Sequence, residues 1–211
     1  MNVIIFGASG GIGKQAVMYA LQKGHHVTAY LRSPGKLDMS HENLSVVKGE
    51  ISDYEAVAKA MRGQDAVIWC VGIPLKRKYA RMESLEGHKI LIKAMRECDV
   101  SRLIDWATPS VPFHQDKKSF ITTVPGIIAG VFLKKAKQEM IEIGKLVQGS
   151  GLKWTIVRFM APKDAPPRGG VKIGFGDTKM KFAVSRSDIA AFMVGQLECE
   201  KYLHSMPIIG S

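Results

Sequence analysis

The sequence predicts an α/β fold, a doubly wound parallel sheet with helices on both faces. Short apolar β-rich runs alternate with segments of helical periodicity, and the connections between them are short. The strands are apolar nearly throughout, the mark of a sheet buried on both sides. A glycine-rich turn joins the first strand to the first helix, where such folds receive ligands.

Each element follows from its own signals. Val3 to Phe6 is an apolar run ending at Gly7, and Gly11 to Lys23 carries Ile12, Ala16, Val17, Ala20 and Leu21 at helical spacing before Gly24. His26 to Leu31 and Leu44 to Lys48 are the second and third strands, separated by the turn Arg32-Ser33-Pro34-Gly35. A helix to Met61 starts at Ser52 or Asp53, with Glu55 completing a capping box on Ser52. Asp65 to Val71 is the fourth strand, Glu83 to Cys98 a helix and Arg102 to Trp106 the fifth strand. From Ala107 to about Gly130 periodicity fades among Pro109, Pro112, Pro125 and Gly126, so an active-site loop is expected. A helix over about Val131 to Val147, a strand at Lys153 to Phe159 and a helix from Asp188 to Glu198, capped by Ser187 or Asp188, follow. Between the last two, Val171 to Phe175 and Lys179 to Val184 are expected to pair as a hairpin across Gly176-Asp177, and Met206 to Ile209 to form an edge strand. Residues 1–211 read as one domain, with small elements on the substrate side at about 159–185.

Composition narrows the function. With 46% apolar and 23% charged residues the 211-residue chain is no disordered segment. No apolar run approaches the ~18 residues of a membrane span, and the N-terminus reads as a buried strand, so a cytoplasmic protein with no membrane partner is expected. Cys70, Cys98 and Cys199 have neither disulfide nor zinc-site spacing, so inert thiols and no metal are expected. The +11 net charge suits nucleic acid, an acidic surface or a phosphorylated ligand. Nucleic acid is disfavoured, because the basic runs Lys76 to Arg81, Lys117-Lys118 and Lys134 to Lys137 lack interleaved aromatics. These runs also read as ordinary solvated faces.

VIIFGASGGIGKQAV carries the chemistry. Gly7 permits a tight exit from the strand, Gly10 leaves no Cβ where a pyrophosphate would approach, and Gly13 lets the helix pack closely. The helix N-terminus offers free amides to phosphates, and Ser9 adds a hydroxyl. The second strand ends in Tyr30-Leu31-Arg32-Ser33 rather than in the carboxylate that takes the ribose of NAD. A guanidinium there suits a 2′-phosphate, so NADP(H) is expected; the alternative leaves Arg32 a solvated loop residue.

These features, with DAVIWCVG, SGLKWTIVRF followed by Pro162, and VSRSDIAAFM, resemble the atypical short-chain dehydrogenase/reductases. Within them the chain is most similar to the small NAD(P)H-binding proteins related to NmrA-like sensors, NADH-flavin reductases and biliverdin-IXβ/flavin reductase. The resemblance implies a Rossmann fold in which Gly7, Ser9, Gly10, Gly11 and Ile12 hold the pyrophosphate and Arg32 and Ser33 the adenosine phosphate. It further places Glu50 and Ile51 at the adenine, Val71 and Gly72 at the adenine-side ribose, Ala107 and Thr108 at the nicotinamide ribose, and Phe159 and Met160 at the nicotinamide.

The chain departs from the better-known short-chain dehydrogenases in lacking Tyr-x-x-x-Lys: four residues before Lys134, Lys135 and Lys137 stand Gly130, Val131 and Leu133, and the nearest tyrosine, Tyr79, lies in another loop. Hydride transfer to a conjugated acceptor needs no such dyad. The expected activity is NADPH-dependent reduction of flavins or related conjugated small molecules, with Thr108, Ser110 and Lys137 as catalytic candidates and His114 as a further helper. The alternative is a non-catalytic NADP(H) redox sensor. A monomer or small homo-oligomer acting on a small-molecule acceptor is expected.

Overall fold

The computed structural model describes residues 1–74 and 79–211, so Lys76, Arg77 and Lys78 of the first basic run lie outside the described residues. The chain runs β1 (Asn2–Phe6), α1 (Gly11–Gln22), β2 (His26–Leu31), β3 (Leu44–Lys48), α2 (Tyr54–Met61), β4 (Ala66–Trp69), α3 (Glu83–Glu97), β5 (Arg102–Ala107), α4 (Phe120–Phe132), α5 (Lys134–Gln148), β6 (Lys153–Arg158), β7 (Pro162–Lys163), β8 (Lys172–Gly174), β9 (Val184–Ser185), α6 (Arg186–Gly195) and β10 (Ile208–Gly210). The main sheet has the order β3-β2-β1-β4-β5-β6-β10-β8 and is parallel except for β8 against β10. The chain therefore winds outward from β1 in one direction and from β4 in the other, and the switch point falls between these two strands.

Alternation along β1 builds the two cores. Ile4 and Phe6 face α2, α3 and α5, packing with Val57, Met61, Leu91, Met95, Met140 and Ile143, while Val3 and Ile5 face α1 and α6, packing with Ala16, Val17, Ile189 and Met193. These four apolar side chains of β1 are fully buried, at ~25 cal/mol per Å² of apolar surface removed from water. The helices thus lie on both faces, as the apolar strands predict.

Four local expectations are corrected. Of the two expected caps of α2, Asp53 is the one used, accepting from the Ala56 amide, so the capping box expected between Ser52 and Glu55 does not form. Ser185 caps α6, accepting from the Asp188 amide at 2.9 Å, so that helix starts ahead of Ser187. The hairpin does not form: β8 pairs with β10, β9 pairs with β7, and Gly176 (φ +101) packs its turn against Lys117 and Thr122. The last strand is accordingly interior, between β6 and β8.

The expected loop over residues 107–130 contains α4, whose sequence FITTVPGIIAGVF carries Pro125 inside the helix. Apart from Thr122 and Thr123 its residues are apolar or glycine, which leaves no polar stripe of helical period to read; Phe120, Ile127, Val131 and Phe132 are exposed. Among the described residues no helix is long and apolar enough to cross a membrane, and no group of three His, Cys, Asp or Glu side chains is placed to hold a metal ion.

Burial lowers the pKa of His25 from its ordinary 6.5, the N-terminal ammonium and Lys23 adding to the effect against Glu198. The unfolded chain therefore takes up a proton near pH 6.5 that the folded chain accepts only at lower pH, and stability falls as pH drops below 6.5. The melting temperature should decline less between pH 7.5 and 5 in His25→Asn than in wild type; equal declines would contradict this.

Candidate functional site

The site is built at the β1–α1 junction, on the switch point. Gly7 leaves β1 at φ +74, and a Cβ there would stand 2.7 Å from the Cys70 carbonyl carbon and 2.8 Å from the Val71 amide nitrogen. Its own carbonyl accepts from the Gly10 amide at 3.0 Å, closing the turn. A Cβ on Gly13, the third residue of α1, would lie 2.2 Å from that same Gly7 oxygen. Gly13 thus packs on the turn itself rather than on the sheet. Both positions require glycine, one for backbone conformation and one for space.

This close junction leaves the start of α1 uncompensated. The first amides of a helix have no intrahelical acceptor; Gly10, as N-cap, has no side chain to supply one, and the first turn holds no acidic residue. The helix end is positive and asks for an anion. Ser9 is half-buried beside it. The long side chain over this end belongs to Arg186, the first residue of α6: a Cβ on Gly11 would meet its Cδ at 2.6 Å and Nε at 2.9 Å. Its Nη1 bonds Asp164 Oδ2 at 2.7 Å.

Around this centre the strand ends collect the other expected residues. Arg32 and Ser33 are exposed just beyond β2. Glu50 and Ile51 follow β3; the Glu50 carbonyl accepts from the Tyr30 hydroxyl at 3.0 Å, and Ile51 packs beside Gly87 and so near Trp69. Burial, then Asp53 and Glu50, pushes the Tyr30 hydroxyl up to about 12, so it remains a protonated donor. Val71, Ala107 and Phe159 are brought together: the Phe159 amide donates to the Ala107 carbonyl, Trp106 Nε1 donates to the Val71 carbonyl at 3.0 Å, and the Trp106 ring stacks on Phe159. Gly72 and Met160 border this group, Gly72 exposed and Met160 half-buried. The Cys70 thiol is pushed up to about 12 by burial, with Asp105 adding to it.

Beyond the end of β5, the Thr108 and Ser110 hydroxyls lie 2.6 Å apart, and Thr108 also contacts Met140 Sδ at 3.4 Å, one turn beyond Lys137 on α5. Lys137 Nζ would be 3.6 Å from a Cβ on Gly130 of α4. His114 is exposed and packs on Phe113. The loop carrying these residues is held by Arg158, fully buried at the end of β6. Its guanidinium donates to the carbonyls of Met206 and Val111 and pairs with both Asp116 oxygens, at 2.8 and 2.5 Å.

The structure brings Tyr79 to α5 after all. Its hydroxyl donates to Glu139 Oε2 at 2.5 Å, and Lys135 Nζ lies over its ring and reaches its carbonyl. Burial and the Glu139 carboxylate raise the Tyr79 pKa far above its ordinary value, the reverse of what a lysine does for a catalytic tyrosine. Tyr79 is itself fastened to α5.

Asp105, a buried acid within β5, has a partner that periodicity alone does not name. His88 Nε2 lies 3.2 Å from its Oδ2, while His88 Nδ1 donates to the Ser84 carbonyl at 2.6 Å. The pair lines a small cavity with Trp69, Trp106 and Met140. Among missed residues, Arg186 was visible only as the charge in VSRSDIAAFM, and His88 as a histidine four residues after Ser84 on one helix face.

The family model described as NAD(P)H-binding matches residues 7–200, and the chain belongs to that family. It is 24% identical over 97% of its length to an isoflavone reductase homolog of Arabidopsis thaliana, covering 67% of that protein. It is 30% identical over 52% of its length to a 3-beta-hydroxysteroid dehydrogenase of Mycolicibacterium neoaurum, and the aligned part is about a third of that relative. Among solved structures, ChuY, an anaerobillin reductase of Escherichia coli, superposes with a TM-score of 0.78 at 19% identity, covering 100% of this chain and 97% of that one. A short-chain dehydrogenase/reductase of Veillonella parvula in complex with NADP gives 0.79 at 18%, covering 100% and 94%. These structures share the Rossmann fold.

Removing one partner of the buried Arg158 pair strands a guanidinium inside the protein, at a cost of about 3 kcal/mol. Asp116→Ala should lower the melting temperature by roughly 10 °C, at ~2–4 °C per kcal/mol for a chain of this size. A change within 2 °C in a thermal melt would show that the pair does not hold the loop.

Proposed function

We propose that the protein is an NADPH-dependent oxidoreductase that reduces a flavin or another conjugated small molecule. The observation that carries this is the uncapped N-terminus of α1, wedged against a glycine turn at the switch point of the sheet, with no acid in its first turn and a guanidinium nearby. That donor set fits a pyrophosphate. In this reading Gly7, Ser9, Gly10, Gly11 and Ile12 hold the pyrophosphate, Arg32 and Ser33 the 2′-phosphate, Glu50 and Ile51 the adenine, Val71 and Gly72 the adjoining ribose, Ala107 and Thr108 the second ribose, and Phe159 and Met160 the nicotinamide. When bound, a reduced nicotinamide supplies hydride.

The chain's own residues then position and shield the acceptor. Trp106 and Phe159 form a stacked aromatic pair on which a conjugated ligand could lie. Ser110 and Thr108 form a hydroxyl pair able to hand on a proton, and Lys137 on α5 supplies positive charge on the same side. The pinned Tyr79 supports a reaction that does without a tyrosine acid. The reductase relatives and the reductase named among the structural neighbours favour the same class.

Arg32→Ala should reduce the preference for NADPH over NADH by roughly tenfold to a hundredfold, the worth of a charge-assisted hydrogen bond at ~1.5–3 kcal/mol. An unchanged Kd ratio would leave Arg32 a solvated residue. The purified protein should oxidise NADPH steadily with at least one of FMN, FAD, riboflavin or a quinone. Tight NADPH binding without turnover would instead favour the redox sensor.

A further inference from the structure

We infer that Arg186 is the side-chain ligand of the coenzyme pyrophosphate and that Asp164 holds its place in the coenzyme-free protein. This rests on the dinucleotide reading of the site and deepens it. Arg186 opens α6, yet its side chain crosses to the first turn of α1, where Gly11 leaves just enough room for its Cδ and Nε. A side chain on Gly11 would expel it. The guanidinium thereby sits at the positive end of a helix whose leading amides have no intrahelical acceptor and, among the described residues, no side-chain cap. Two positive features so close repel each other unless an anion lies between them.

The anion present is Asp164 Oδ2, 2.7 Å from Arg186 Nη1. It is a weak occupant: the Asp164 side chain is 87% exposed, and an exposed ion pair gains little over two hydrated charges. A pyrophosphate carries more charge, reaches the helix amides at the same time and matches the planar guanidinium. Asp164 can be released without loss of its segment, because the Arg168 amide is separately held by both Asp188 oxygens at 3.0 and 3.1 Å. The two carboxylates do different work: Asp188 fastens residues 161–170 to α6, and Asp164 competes with the coenzyme for Arg186.

The signs of two substitutions test this. In titrations of NADPH and of NADH, Arg186→Gln should raise Kd at least tenfold for both coenzymes, since the pyrophosphate is common to them. Asp164→Asn should lower Kd for both about threefold by removing the competitor, and in the double variant that gain should vanish. The Asp164 substitution is at an exposed side chain, so its readout survives even if Arg186→Gln folds poorly. Weaker binding in Asp164→Asn, or an unchanged Kd in a folded Arg186→Gln, would overturn the inference while leaving the dinucleotide site standing. A wild-type protein that binds neither coenzyme would overturn both.

Discussion

The carbonyl oxygen of Gly7 occupies the space in which α1 would otherwise carry the side chain of its third residue. That single close approach draws the helix start tight against the end of β1, and the rest of the site follows from it. With Gly10 as a cap that has no side chain, the leading amides of α1 point out at the switch point of the sheet, between the outward-winding halves that begin at β1 and β4. Val71 is pressed against the same turn, so the fourth strand end is drawn into register with the first. The glycines are thus demanded by backbone geometry, and the anion-binding character of the helix end is a consequence.

Just beyond β5 the chain is organised by buried polar contacts rather than by regular structure. Arg158 at the end of β6 reaches across to Val111 and Asp116, while Glu139 on α5 takes the Tyr79 hydroxyl and the Leu85 amide. These contacts tie Tyr79 to α5, and Val111 and Asp116 to β6.

The central strands and most helices were legible because their signals are local: apolar runs between turn residues, and periodicity closed by glycine. The glycine turn was legible for the same reason. What escaped depends on partners distant in sequence. Lys179 to Val184 looks like the second arm of a hairpin, but Lys181 exchanges backbone hydrogen bonds with Ser211 instead, and the strand Ile208–Gly210 takes the place beside Lys172–Gly174. Helix α4 was hidden because an apolar helix with an internal proline carries no contrast between faces. In the site, the residues expected at the strand ends do lie there, whereas Arg186, His88 and Glu139 arrive from other elements and are placed by the fold alone.

The account stands on the claim that the start of α1 is where the coenzyme's phosphates dock. An amide-resolved NMR titration with NADPH tests it most directly. The account predicts that the backbone amides of Gly7, Ser9, Gly10, Gly11 and Ile12 shift first and furthest, in a saturable way. Saturable shifts centred elsewhere, with these five amides unmoved, would contradict it.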